Sequence, residues 1–227
     1  MKLICLNAWG AQLLEPLLAF LKRERESTDI FCFQELIQAA SPDVDFGIGL
    51  RSDSYDQVAR ALGTEFVGYF APAEEGFRAD GTRTAAPLEF GQGIFVKKSI
   101  KVIEEGMIYV SMPRTAIAEN RNARPRAMQY VQIDYTREGI TRPLTVCNLH
   151  GLLDDGAKRD TPARFKQSDI LLHFLRQREG AKILCGDFNM RPETQALKML
   201  ETIMVNLVRT HRIPRTRNGH YAGTKKY

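Results

Sequence analysis

The chain carries no acidic residue after Glu201, no Cys-x-x-Cys pair and no internal repeat. It also has no apolar run near the roughly 18 residues that a membrane-crossing helix requires. Each absence removes a class of protein. Without repeats or a low-complexity linker, a solenoid or a tethered array is excluded. Without cysteines at metal spacing, a zinc-ribbon or redox-motif reading is excluded. Met1 leads straight into an apolar strand and then a polar segment, which is not the pattern of a secretory leader. Tryptophan occurs once, at Trp9. Cys5, Cys32, Cys147 and Cys185 each sit inside an apolar run and read as small buried hydrophobes. Thiols without a disulfide pattern suit a reducing cytoplasm, the expected location.

The 227 residues are 44% hydrophobic and 26% charged, ordinary values for a soluble domain. That length can bury a large core, so residues 1–227 are read as one domain. The formal net charge of +5 suits an anionic substrate without demanding nucleic acid. Arg114, Arg121, Arg124 and Arg126 fall in a polar stretch, residues 111–126, that reads as a loop. Arg209, Arg212, Arg215 and Arg217 cluster near the end. Both groups are read either as solvated surface or as a rim that steers phosphate. Aromatic residues are not interleaved with them, so stacking of single-stranded nucleic acid has little support.

Periodicity outlines the elements. Leu14, Leu17, Leu18 and Leu21 recur at helical spacing within residues 13–26. Residues 53–62 read as a short helix capped by Ser52 or Asp53. Residues 66–71, 93–96, 102–110 and 128–135 read as strands, with residues 72–87 as a long loop. Thr161-Pro162 predicts a helix start with Thr at the cap and Pro in the first turn. That helix runs to about residue 178 and is expected to bury Phe165, Ile170, Leu171, Leu172, Phe174 and Leu175. A further helix is expected over 194–204.

The most informative segment is ILCGDFNMRP, residues 183–192. An apolar strand ends in Gly186, then Asp187, then Asn189. Period-two alternation places Asp187 and Asn189 on one side and Phe188 on the other. Gly186 allows close backbone approach to a ligand, and Pro192 stops the strand. Three other apolar runs end the same way: KLICLN in Asn7, DIFCFQE in Gln34 and Glu35, and LTVCNLH in His150. Runs this apolar read as strands covered on both faces, and ligands in α/β proteins gather at such strand ends.

The ordered set Asn7, Glu35, His150, Asp187 and Asn189, carried by LNAWG, FQE, LH and GDFN, resembles the endonuclease/exonuclease/phosphatase superfamily, the DNase I-like fold. The resemblance spans essentially the whole chain. It implies an α/β fold, a four-layer sandwich of two packed mixed β-sheets flanked by helices, with the site at one end. It implies hydrolysis of a phosphodiester or phosphomonoester with Mg²⁺ or Mn²⁺. Glu35 is then the first metal ligand, with Asn7 and Asp187 beside it. Asn7 supports the metal or orients a water or phosphate oxygen. Asp187 positions or polarises the attacking water, and Asn189 hydrogen-bonds a phosphate oxygen. His150 donates to a non-bridging oxygen or assists the leaving group. Arg164, with Gln167 on the same helix face, is expected to support substrate binding, and Trp9 to wall the site.

The family pattern adds a late Asp and an Asp-His pair that this chain does not contain. The expectation is therefore a C-terminally incomplete domain, short of strands in one sheet. The expected substrate carries phosphate, with nucleic acid or a nucleotide favoured over a small phosphorylated metabolite or lipid headgroup. A non-catalytic phosphate-binding domain is the third reading. Nothing points to an obligate protein partner.

Overall fold

The computed structural model describes residues 1–41, 43–111, 124–153 and 158–217. Eight strands form two mixed four-stranded sheets. The first contains β1 (Leu3–Asn7), β2 (Ile30–Ala39), β3 (Phe66–Glu75) and β4 (Leu88–Lys97), in the order β1-β2-β4-β3. The second contains β5 (Val102–Tyr109), β6 (Ala127–Arg137), β7 (Ile140–His150) and β8 (Ala181–Asp187), in sequence order. Each sheet has one parallel pair. β1 runs with β2, with Asn7 opposite Gln34, and β7 runs with β8, with His150 opposite Asp187. Both pairs end at the same edge of the molecule, where β1 meets β8 and β2 meets β7 across the sandwich.

Alternation along the strands builds the layers. Ile30 and Cys32 of β2, Ile94 and Val96 of β4, Val131 and Ile133 of β6, and Leu144 and Val146 of β7 fill the space between the sheets. The intervening residues face outward. Phe31 and Phe33 pack under Leu17 and Leu21 of α1 (Leu14–Glu24) and Val58 and Leu62 of α2 (Ser54–Leu62). Cys147 and Leu149 pack under Leu171 and Leu175 of α3 (Pro162–Arg176) and Leu200 of α4 (Gln195–Leu200). The result is the four-layer sandwich expected. Each fully buried Leu contributes about 1.5–3 kcal/mol relative to exposure. All four cysteines are free thiols, with Cys32 and Cys147 fully buried. No helix among the described residues is long and apolar enough to cross a membrane.

Several boundaries differ from the sequence reading. β3 continues to Glu75, so the first residues of the expected 72–87 loop are strand, and Phe77 bridges Arg83 beyond it. β4 begins at Leu88 rather than residue 93. Asp53 occupies the cap of α2 but bonds no helix N–H; its carboxylate accepts from Gln57 and Arg51 instead. Thr161 does cap α3, accepting from the Arg164 N–H. Phe165 is 38% exposed, because it falls on the solvent side of that helix. α4 ends at Leu200, short of residue 204, and is followed by turns and a short α5 (Leu207–Thr210). Arg114 and Arg121 lie outside the described residues.

Toward the site end the inter-sheet filling turns from apolar to amide. The Nε2 of Gln34 (β2) donates to Asn148 Oδ1 (β7), and Asn148 Nδ2 donates to the Phe33 carbonyl at 2.9 Å. Gln92 (β4) donates to the Asn148 carbonyl at 2.8 Å, and Gln129 (β6) to the Tyr69 carbonyl at 2.8 Å. All four amides are at most 1% exposed. Buried polar groups left unpaired cost about 1–3 kcal/mol each. Asn148→Ala should therefore lower unfolding free energy by about 2–3 kcal/mol in urea titration, since it removes the oxygen that Gln34 donates to and the amide that donates to the Phe33 carbonyl, leaving Gln34 only its weaker contact with Cys5 Sγ. A loss under about 0.5 kcal/mol would show that the amides do not clamp the sheets.

Candidate functional site

The ends of β1, β7 and β8 and a bulge within β2, which runs on past the expected end at Glu35 to Ala39, bring Asn7, Glu35, His150 and Asp187 into one constellation. Asn7 is its junction. Its Nδ2 donates to Glu35 Oε1 at 2.8 Å and to Asp187 Oδ2 at 3.1 Å, while its Oδ1 accepts the Trp9 N–H at 2.9 Å. His150 Nε2 lies 3.6 Å from Glu35 Oε1.

Simple alternation would not deliver Glu35 here. Gln34 faces the interior, so the next residue should point at the helices. A β-bulge between Gln34 and Leu36 inserts Glu35 in the left-handed region, φ 57°. Leu36 returns to the helix-facing core, and Glu35 is aimed between the sheets. Bulges commonly re-aim a side chain in this way beside active sites. Trp9 (φ 50°), Lys158 (φ 51°) and Asn189 (φ 52°) are left-handed too. Such conformations cost roughly 1–3 kcal/mol each and persist where surrounding structure enforces them.

Asn189 reaches the site by a different route from the one alternation predicts. β8 ends at Asp187, and a turn follows in which the Asn189 N–H donates to Asp187 Oδ1 at 3.0 Å. The Asn189 side chain donates to the Gly151 carbonyl at 3.1 Å and accepts from Lys158 Nζ at 3.1 Å. Gly186 also serves another purpose than approach to a ligand. A Cβ there would lie 2.0 Å from the Leu149 carbonyl oxygen, so the glycine permits β7 and β8 to close up at the site. Arg164 is fully buried and braces the segment before α3 from behind, donating to the Arg159 carbonyl. Gln167 does the same, accepting the Leu152 N–H at 2.7 Å.

Two cations complete the site: Arg126, which the sequence reading named only within the basic cluster at residues 111–126, and Lys158, which it did not name. Arg126 stands just before β6, and antiparallel pairing of β6 with β7 sets it beside His150. Its Nη1 rests on the imidazole, 3.2 Å from Nδ1 and 3.3 Å from Nε2. That pairing was the available signal. Lys158, in an irregular segment, offered none. Arg124 is not solvated surface: it pairs with Glu74 at 3.2 Å and donates to the Arg78 and Ala79 carbonyls. Of the late arginines, Arg212 and Arg215 are exposed and Arg209 pairs with Glu201, whereas Arg217 is half-buried and its charge is felt at Lys158.

Charge at the site is unevenly balanced. Burial raises the pKa of Glu35, and the neighbouring Asp187 carboxylate adds to the rise against the Asn7 bond and Arg126. Burial also opposes ionisation of Asp187, but the Lys158 ammonium, the Asn189 N–H and the Asn7 amide favour the carboxylate, and its pKa is held low. Burial and the Arg126 guanidinium push His150 down to about 3, so the ring is neutral at pH 7. Among the described residues, no three His, Cys, Asp or Glu side chains form a ready-made metal site. The donor chemistry nevertheless fits a hard divalent cation. Glu35 and Asp187 flank one Asn7 amide with carboxylate oxygens, the donors that a hard cation takes together with water.

Two outcomes follow from these shifts. The depressed His150 pKa means that stability is full above the unfolded value of 6.5 and is lost as pH falls from there toward 3. His150→Gln should therefore show a shallower fall of Tm across that acid range than the wild type; parallel curves would contradict a buried neutral His150. The raised Glu35 pKa has the opposite sign, since stability is lost as pH rises from 4.5 through the folded value. Glu35→Gln should raise Tm at pH 7 by about 2–4 °C, the response of a domain this size to roughly 1 kcal/mol.

No protein-family model matches the chain, and no curated protein matches it. Solved structures do. An endonuclease/exonuclease/phosphatase family protein from Leptotrichia buccalis aligns with TM-score 0.58 at 18% identity, covering 89% of this chain and 72% of that one. A mannosyl-6-phosphatase from Bacteroides thetaiotaomicron aligns with TM-score 0.57 at 14% identity, covering 88% and 68%. D. rerio TDP2 in complex with a single-strand DNA product aligns with TM-score 0.51 at 20% identity, covering 83% and 60%, so this chain spans less than two thirds of that protein. The likeness read from the motifs thus extends to the architecture: the chain has the endonuclease/exonuclease/phosphatase, or DNase I-like, fold.

Proposed function

We propose that this chain is a divalent-metal-dependent phosphoesterase. The observation that carries the proposal is the meeting of Glu35 and Asp187 at one Asn7 amide, with neutral His150 and the cations Arg126 and Lys158 around them. A phosphate ester repels an attacking oxygen and needs its charge neutralised as it reacts. Glu35, with Asp187 and Asn7 alongside, would hold Mg²⁺ or Mn²⁺, which supplies Lewis-acid stabilisation of phosphoryl oxygen.

The remaining steps belong to the protein. Asp187, ionised and fixed by two donors, orients an attacking water and accepts its proton. His150, kept neutral, offers its N–H to a non-bridging oxygen or to the leaving group. Asn189 holds Asp187 in position through its backbone N–H.

A nucleic acid or nucleotide is the substrate class we favour, supported by the basic balance of the chain and by the likeness to TDP2 with its DNA product. A small phosphorylated sugar is the second reading, supported by the mannosyl-6-phosphatase likeness. Hydrolysis of single-stranded DNA, bis-p-nitrophenyl phosphate and hexose 6-phosphate, with and without Mg²⁺ or Mn²⁺, separates these readings. Asp187→Asn should lower kcat by roughly 10²-fold or more with little change in KM. Glu35→Gln should weaken Mn²⁺ binding in calorimetric titration. Equal Mn²⁺ affinity in the two proteins, together with no metal-stimulated hydrolysis of any ester, would leave a phosphate-binding module instead.

A further inference from the structure

The buried Asn189 has its backbone N–H, its side-chain oxygen and one amide N–H engaged within the protein. Its N–H goes to Asp187, its Nδ2 to the Gly151 carbonyl and its Oδ1 to Lys158. Lys158 is the reverse case. Its ammonium is partly buried, and among the described residues it makes one hydrogen bond, to a neutral amide oxygen, and no ion pair. Two of its three N–H donors are left over. A cation withdrawn from water without a counter-charge is costly, and here burial lowers its pKa. The carboxylates Asp187 and Glu35 attract it, yet neither closes to an ion pair.

The backbone holds this arrangement deliberately off its resting geometry. Lys158 is left-handed, and its carbonyl is tied to the Arg191 N–H at 3.0 Å. Asn189, two residues before Arg191, is left-handed as well. The two strained residues brace each other through side chain and main chain, and Asp187 hangs from the same turn.

We propose that Lys158 is the residue that grips the phosphoryl group, and that Asn189 is a positioning residue acting through Lys158 and Asp187 rather than by touching substrate. The ligand chemistry is a tetrahedral oxyanion beside the two carboxylates. The inference rests on the phosphoesterase reading for its setting, but its test does not require turnover.

The test uses the whole chain and inorganic phosphate as probe. Phosphate and, separately, Mn²⁺ are titrated calorimetrically into wild type, Lys158→Gln, Lys158→Arg and Asn189→Ala, with melting temperature confirming that each variant folds. Lys158→Gln should weaken phosphate binding at least tenfold while Mn²⁺ affinity changes less than twofold. Lys158→Arg should restore phosphate binding to within threefold, because the charge is kept. Asn189→Ala should weaken phosphate binding as well, by releasing Lys158. If Lys158→Gln binds phosphate like the wild type, this inference is overturned while the metal-dependent reading stands. If the wild type binds neither phosphate nor Mn²⁺, both fall. A variant that does not fold is replaced by Lys158→Met, to which the same tenfold criterion applies.

Discussion

Everything at the site depends on how the two sheets are held against each other at one end. Apolar packing between sheets is tolerant of sliding, because hydrophobic burial is non-directional. Buried amides are not, since each donor must meet its acceptor. Gln34, Gln92 and Asn148 tie β2, β4 and β7 together directly beneath the functional residues. The carboxylates of Glu35 and Asp187 come from different sheets, and their meeting at Asn7 is only as well defined as that junction. The layer order thus has a reason. Apolar residues fill most of the interface and supply stability, and amides near the functional end supply register.

The same end concentrates backbone strain. Trp9, Glu35, Lys158 and Asn189 adopt left-handed conformations without being glycine. Each has a visible consequence: Glu35 is turned inward by its bulge, the Trp9 N–H reaches Asn7, the Lys158 carbonyl meets the Arg191 N–H, and Asn189 wraps back on Asp187. These distortions are offset by the rigid sheets on which they sit. Gly151 and Gly186 contribute by letting the segments after β7 and within β8 approach closer than any side chain would permit.

Much of this was legible in the sequence. Four apolar runs ending in polar residues located the strands and the site end, because strand burial leaves a continuous apolar signature and polar groups survive only where it stops. The helix caps were less legible. Thr161-Pro162 behaved as its chemistry predicts, whereas Asp53 was diverted by Gln57 and Arg51. The length of β3 and β4 was hidden by Pro72 and the glycines at 91 and 93, which weaken a strand signature that tertiary pairing then overrides. At the site, Asn7, Glu35, His150 and Asp187 were visible because they end apolar runs, although Glu35 proves to sit at a bulge with β2 continuing beyond it. Arg126 was visible only as one member of a basic cluster and Lys158 not at all, because long cationic side chains reach their targets from irregular segments whose path no periodicity encodes.

The charges of the site are kept apart rather than neutralised. Arg126 lies on the neutral ring of His150 and Lys158 on the amide of Asn189, and among the described residues neither forms an ion pair with Glu35 or Asp187. A fold selected only for stability would let these groups collapse onto one another or replace them with apolar residues, since buried charges without partners are destabilising. Keeping them separate has a chemical use. A phosphate ester needs positive charge at its non-bridging oxygens and negative charge beside the water that attacks it, at the same moment. Groups already paired with each other would have to be pulled apart first, whereas groups held by neutral intermediaries are preorganised for the developing charge. Asn7, Asn189 and neutral His150 are those intermediaries, and their neutrality is what leaves both signs of charge available.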